Sequence, residues 1–194
     1  IRLPRHYIFT KDDLGASGAM SDDLLMMGLD ASNADQLGMF LYPIEVKFSK
    51  NSSFADKGGE QVSNTYRQIK EHLFGEDNFA KKIFRTFFAS QFLVNAEKLR
   101  SNGLMSEEEY AKIEQCRYRL LNLKYALREA LPIVEMGHAA LVSFFSDASH
   151  WMHTSTIKGV NVCEIHFSEK ECFEFVADSD NRAAEFLARD PIEN

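Results

Sequence analysis

Leu37-Gly38-Met39-Phe40-Leu41-Tyr42-Pro43-Ile44-Glu45-Val46-Lys47-Phe48 is the stretch on which the reading of this chain turns. It is mostly apolar, with β-branched and aromatic residues, and reads as a strand. Residues two apart on a strand face the same way, so Glu45 and Lys47 share one side while Ile44, Val46 and Phe48 share the other. The expectation is that the second set enters a core. A carboxylate and an ammonium side by side on an apolar strand need a reason, because burying charge costs several kcal/mol unless it is paired or metal-bound. Pro43 removes a ladder donor two residues before Glu45, which points to a bulge there.

Upstream lies a second apolar run, Leu24-Leu25-Met26-Met27-Gly28-Leu29, joined to the first by the polar, turn-forming stretch Asp30 to Gln36. Two such runs around a connector predict a β-hairpin. Pairing about Ala34 sets residue 23 opposite residue 45, since each lies eleven positions from the centre. Residue 23 is Asp, and so is residue 22. Asp23 therefore becomes the carboxylate expected beside Glu45, with Asp22 in reserve should a bulge shift the register by one. Two such anions repel unless a cation joins them. Hard oxygen donors of this kind suit Mg²⁺, with Mn²⁺ as a substitute, and the adjoining Lys47 is placed to hold or activate a water and to stabilise charge on a phosphate.

An acidic residue followed by Leu24-Leu25, a hairpin, and then Ile44-Glu45-Val46-Lys47 resembles the PD-(D/E)XK nuclease superfamily. The resemblance covers residues 21–73. It implies a restriction-endonuclease-like three-layer α/β core with a central mixed sheet flanked by long helices. It also implies Mg²⁺-dependent hydrolysis of DNA phosphodiester bonds, with Asp23 and Glu45 as metal ligands and Lys47 as the basic residue. Asp22 stands where the family has a semi-constant Pro. Members like RecB and archaeal Holliday-junction resolvases add Q-x-x-x-Y from the following helix. That carries Gln61 into the site, whereas Tyr66 falls one position too far on. The arrangement is similar, more weakly, to C-terminal nuclease domains of bacterial anti-phage restriction proteins of the phosphorothioation-dependent type. That likeness implies DNA as partner and an ATPase or helicase-type motor in additional domains or subunits. The rival expectation is a catalytically silent domain of the same fold that serves as a scaffold on such a motor.

The rest of the 194 residues completes an α/β domain. Tyr7-Ile8-Phe9 reads as a short strand and residues 11–20 as a loop. Val62, Tyr66, Ile69 and Leu73 mark one face of a helix starting at Glu60 after the loop that ends in Gly58-Gly59. A Phe-rich helix spans 77–101, and Ser106 with Glu109 forms a capping box for a third helix running to Ala130. Ala139–Phe145, Val160–Phe167 and Cys172–Val176 read as strands, and residues 179–189 as a last helix. The whole is expected to be one domain, 1–194, of a larger protein, since the chain opens on Ile rather than Met.

Composition narrows the function. Hydrophobic residues make up 45% of the chain, so a core is available, and a net charge of −7 argues against a protein that coats polyanions indiscriminately. Three cysteines, Cys116, Cys163 and Cys172, with no C-x-x-C pair, fit a reducing cytoplasm. No apolar run reaches the ~18–20 residues of a membrane span. Phosphate-binding glycine motifs are absent. His150, His153, Cys163 and His166 invite a zinc reading, but Cys163 and His166 fall on opposite sides of a strand. Lys81, Lys82, Arg85, Lys98 and Arg100 read as a solvated helix face before a phosphate-contacting one.

Overall fold

The computed structural model describes residues 24–32, 36–50, 54–129, 131, 136–146 and 151–177. The elements run β1 (Leu24–Asp30), β2 (Gly38–Ser49), α1 (Ala55–Leu73), α2 (Phe79–Ser101), α3 (Glu107–Leu121), β3 (Ala126–Arg128), β4 (Ala139–Phe145), β5 (Trp151–Ile157), β6 (Val160–Ser168) and α4 (Glu169–Ala177). The expected short strand at 7–9, the loop at 11–20 and the helix at 179–189 lie outside the described residues.

The sheet is mixed and six-stranded, in the order β1-β2-β4-β6-β5, with β3 added to β2. The centre, β2-β4-β6, is parallel, and both outer strands are antiparallel to their neighbours. The hairpin forms as the pattern predicts: Leu24 pairs with Ile44 and Asp30 with Gly38, a register centred on position 34. It runs through Pro43 without a bulge. On the other edge of β2, β3 takes Gly38–Phe40 and β4 takes Ile44–Ser49. Pro43 sits in the stretch between them, where no strand on that edge calls for its missing donor.

Helices α1, α2 and α3 share one face of the sheet. Leu25, Met39 and Leu41 from the hairpin pack with Ile69 and Leu73 of α1, Phe88 and Leu93 of α2 and Leu120 of α3. Further along, Val62 and Tyr66 of α1 close over Ala139, Leu141, Val160 and Val162. The opposite face carries a smaller cluster around Tyr42, Ala140 and Cys163, against which Leu131 and Met136 pack. Its helical cover among the described residues is α4 alone.

Three boundaries differ from the sequence reading. Helix α1 begins at Ala55, so Gly58 and Gly59 are helical rather than the end of a loop. A Cβ at Gly58 would lie 2.6 Å from Leu141 Cδ1, and one at Gly59 2.4 Å from Ile157 Cδ1. These glycines let the first turn lie close on the sheet. Helix α3 stops at Leu121, because Leu123 takes a left-handed backbone (φ 55°) and the chain turns into β3. The segment from Cys172 is helix α4, not a strand. Ser168 and Glu171 cap it reciprocally, the Ser168 N–H and hydroxyl donating to the carboxylate and the Glu171 N–H donating back to Ser168 Oγ. Strand β5 is an element the periodicity did not reveal. It joins β6 through Lys158-Gly159, both at positive φ, the two-residue turn that matches strand twist.

Gly137 combines φ 59° with a would-be Cβ only 2.5 Å from the Asn161 backbone oxygen, whereas Gly103 (φ 71°) faces open space. Gly103→Ala is expected to cost about 1–2 kcal/mol, the left-handed penalty alone. Gly137→Ala should cost clearly more, and urea denaturation of the two variants measures the difference.

Candidate functional site

Glu45 and Lys47 lie in the second half of β2, toward the carboxyl end that it shares with β4 and β6. They share a face, as the alternation requires, but it is the helix-covered one. Glu45 is 3% exposed, whereas Phe48 on the opposite side is 70% exposed. Of Ile44, Val46 and Phe48, expected in the core, Ile44 packs against the smaller cluster of Tyr42, Ala140 and Cys163, Val46 is half-buried and Phe48 lies open, so the larger, helix-covered core falls on the other side. The reason lies upstream: Met39 and Leu41, of the same parity as Glu45, are the residues that the helices cover. Strand β2 is apolar on both sides, so alternation reveals two faces without saying which one the helices take.

The Lys47 ammonium is hydrogen-bonded to Glu45 Oε1, and the Lys side chain keeps 23% of its surface exposed. The stem of Lys47 runs under α1, where a Cβ at Gly58 would lie 3.1 Å from Lys47 Cγ. The lysine thus links a buried carboxylate to the solvent edge of the helix–sheet junction.

Gln61 lies three positions after Gly58, on the same flank of α1, and its Oε1 is enclosed without a hydrogen-bond partner. Asp23 and its reserve Asp22 lie outside the described residues. The pairing of Leu24 with Ile44 is the last register position seen on that side. Tyr66 does not join the site. Its hydroxyl donates to the Glu129 carbonyl at 3.1 Å and its ring stacks on His138, with burial pushing the phenol up to about 12.

The polar face continues across the sheet. Lys47, Ser143, His166 and Trp151 occupy one register row over β2, β4, β6 and β5, and Glu45, Leu141, Glu164 and His153 occupy the row beside it. The Ser143 hydroxyl is hydrogen-bonded to His166 Nδ1, and His166 Nε2 looks toward Glu164 Oε2 at 3.6 Å. Ser155 donates to Glu164 Oε1, and His153 Nε2 stands 3.8 Å from the same oxygen. The Phe145 ring stacks on His166 and the Trp151 ring lies tilted against it, leaving the imidazole 1% exposed. Burial opposes ionisation of Glu164, but His166, Ser155 and the charge of His153 outweigh it and hold the carboxyl below its usual 4.5.

This second group was missed in the sequence, although Glu164-Ile165-His166 obeys the same i, i+2 rule as Glu45-Val46-Lys47. The zinc constellation does not assemble from the cysteine: Cys163 belongs to the opposite face with Tyr42 and Ala140. Among the described residues no group of three or more His, Cys, Asp or Glu side chains is set to hold a metal ion. The basic residues of α2 are largely engaged at home. Arg85 bonds Asp77 and the Tyr125 carbonyl, Arg100 pairs with Glu107, and Lys81 bonds the Phe74 carbonyl. No described helix is long and apolar enough to cross a membrane. Comparison with models of protein families, with curated proteins and with solved structures finds no match.

Removing Lys47 takes away the ammonium bonded to the buried carboxylate, whereas removing the carboxylate leaves an ammonium that still reaches water. Lys47→Met is therefore expected to cost about 3 kcal/mol, near the low end for breaking a buried pair. Glu45→Gln should cost less, and chemical denaturation at neutral pH orders the two.

Glu164 gives a second test. Its folded pKa is lowered, so the stability it contributes is complete above the ordinary carboxylate value of 4.5 and fades as pH falls through the lower folded value. The stability gap between the wild type and Glu164→Gln should be present at pH 7 and shrink at pH 3.

Proposed function

We propose that this chain is a metal-dependent deoxyribonuclease module with a restriction-endonuclease-like core of the PD-(D/E)XK type. It would hydrolyse DNA phosphodiester bonds as the nuclease part of a larger cytoplasmic assembly that includes a motor, in DNA processing or in defence against foreign DNA. One observation carries the reading: a carboxylate held 3% exposed on the helix-covered face of a central strand, with a lysine two residues on reaching from it to solvent. A salt bridge placed only for stability gains little in such a position, because desolvation offsets the attraction. A catalytic pair needs that setting, since electrostatic effects strengthen where water is excluded.

The ligand this reading calls for is a hard divalent cation. Glu45 offers a carboxylate oxygen, and Asp23 is the residue assigned to complete the pair; Mg²⁺, once bound, would polarise the phosphate and lower the pKa of an attacking water. Lys47 is assigned to orient that water and offset the charge gained by the phosphate. Gln61 is assigned to the rim, where its partnerless amide oxygen gives it hydrogen-bonding capacity to spare.

A second reading, a silent scaffold of the same core, is favoured by a different observation. Phe79, Ile83, Leu104, Tyr118 and Leu121, on or beside α2 and α3, are all exposed. Large apolar side chains left exposed along two neighbouring helices are groups that a partner protein would cover.

Cleavage assays separate the two. With linear and circular DNA in Mg²⁺, the wild type is expected to cut. Glu45→Gln and Lys47→Gln should lose roughly 10²- to 10⁴-fold in rate, the usual weight of a positioned acid–base or charge-stabilising group, while circular dichroism shows the fold retained. Equal rates in all three proteins would contradict the assignment, and a wild type that leaves DNA intact beside its motor partner would favour the scaffold.

A further inference from the structure

On the side of the sheet away from Glu45, the carboxyl ends of β2 and β4 and the start of α4 enclose a recess of about 230 Å³. Its walls include Phe48, Phe144 and Phe173, and its rim carries Lys50, Ser146 and Glu169. Phe48, Phe144 and Phe167 stand on three adjacent strands and stack in series. Their centroids are 4.6 and 5.2 Å apart, with the planes inclined by only 7° and 19°. Phe167 is buried while Phe48 is 70% exposed, so the column of rings ends at the surface.

We infer that this recess is a base-binding subsite, in which one unstacked nucleobase of a single-stranded polynucleotide lies against the ring column at Phe48. Four observations bear on the occupant. Near-parallel rings with an open end suit a flat π-face and would not select an aliphatic side chain. The volume falls below the ~300–1,000 Å³ of pockets that enclose drug-sized ligands, so it suits a single ring system. The exposed Lys50 at the rim supplies a cation for the phosphate that a base carries with it, while Ser146 donates to the Lys50 carbonyl and ties the tips of β2 and β4 together. The recess also lies at the carboxyl ends of parallel strands, where open α/β sheets bind ligands.

The inference rests on the nuclease reading for the kind of polymer and goes beyond it in substrate form. Phe48 follows Lys47 directly in the chain. Phe48 and Lys47 project to opposite faces, so a strand whose base is seated at Phe48 would have to pass around the carboxyl rim of β2 to reach Lys47, a turn that an unpaired strand makes more readily than a stacked duplex. The module would therefore act on single-stranded or frayed ends.

The test is fluorescence anisotropy with labelled single-stranded and duplex oligodeoxynucleotides, using the full chain in EDTA so that nothing is cut. Phe48→Ala is expected to weaken single-strand binding roughly 5- to 150-fold, the equivalent of one stacked base, and to leave duplex binding nearly unchanged. Phe48→Trp should retain affinity, and Phe48→Leu should behave like the alanine variant. Lys50→Ala should reduce the slope of log affinity against log salt by roughly one phosphate's share.

Unchanged single-strand binding by Phe48→Ala overturns the subsite and leaves the nuclease reading standing. Phe48-dependent binding by a protein that never cuts DNA sustains the subsite and removes the nuclease reading. A wild type that binds no polynucleotide overturns the subsite, as does a Phe48→Ala effect confined to self-association in sedimentation.

Discussion

A carboxylate kept from water on the helix-covered side of a β-sheet constrains everything around it. Glu45 is flanked in its own register row by Leu141, and its charge is answered by Lys47 on the same strand. The lysine stem passes beneath the start of α1, which lies that close to the sheet because residues 58 and 59 have no side chains. Sheet register, helix placement and the paired glycines thus converge on one ion pair. Such a pair contributes little net stability once desolvation is counted.

The hairpin was legible because two signals agreed: apolar runs of strand length and a polar connector whose centre fixes the register. The capping box of α3 was legible for a similar reason, since Ser106 and Glu109 satisfy each other's backbone donors locally. The errors came where the deciding contact is distant in sequence. Gly58-Gly59 looks like a helix breaker until Leu141 and Ile157 are seen pressing on it. The parity of Glu45 is legible in the sequence, but which face of β2 the three helices cover is not, because that choice belongs to helices that follow it by ten or more residues. Ser168 and Glu171 carried the same capping signal as α3 and were overlooked because Cys172 to Val176 alternates like a strand.

At the site, the sequence reached the Glu45–Lys47 pair but not its surroundings. Ser143, Glu164, His166 and His153 come from three strands, and it takes the parallel pairing of β2, β4 and β6 together with the antiparallel pairing of β5 to β6 to set them on one face. Ser143 beside Lys47 and Glu164 two strands from Glu45 extend the polar surface from a pair to a sheet-wide strip. A sequence pass that treats each strand separately sees isolated polar residues there. The opposite face mirrors this: Phe48, Phe144 and Phe167 form one column only once the register is known.

The central claim is that Glu45 is held buried to bind a divalent cation. Calorimetric titration with Mn²⁺ tests this without reference to any substrate. The account predicts a saturable heat for the wild-type chain that disappears in Glu45→Gln while the fold persists. An identical heat in both proteins, or none in the wild type, would contradict it.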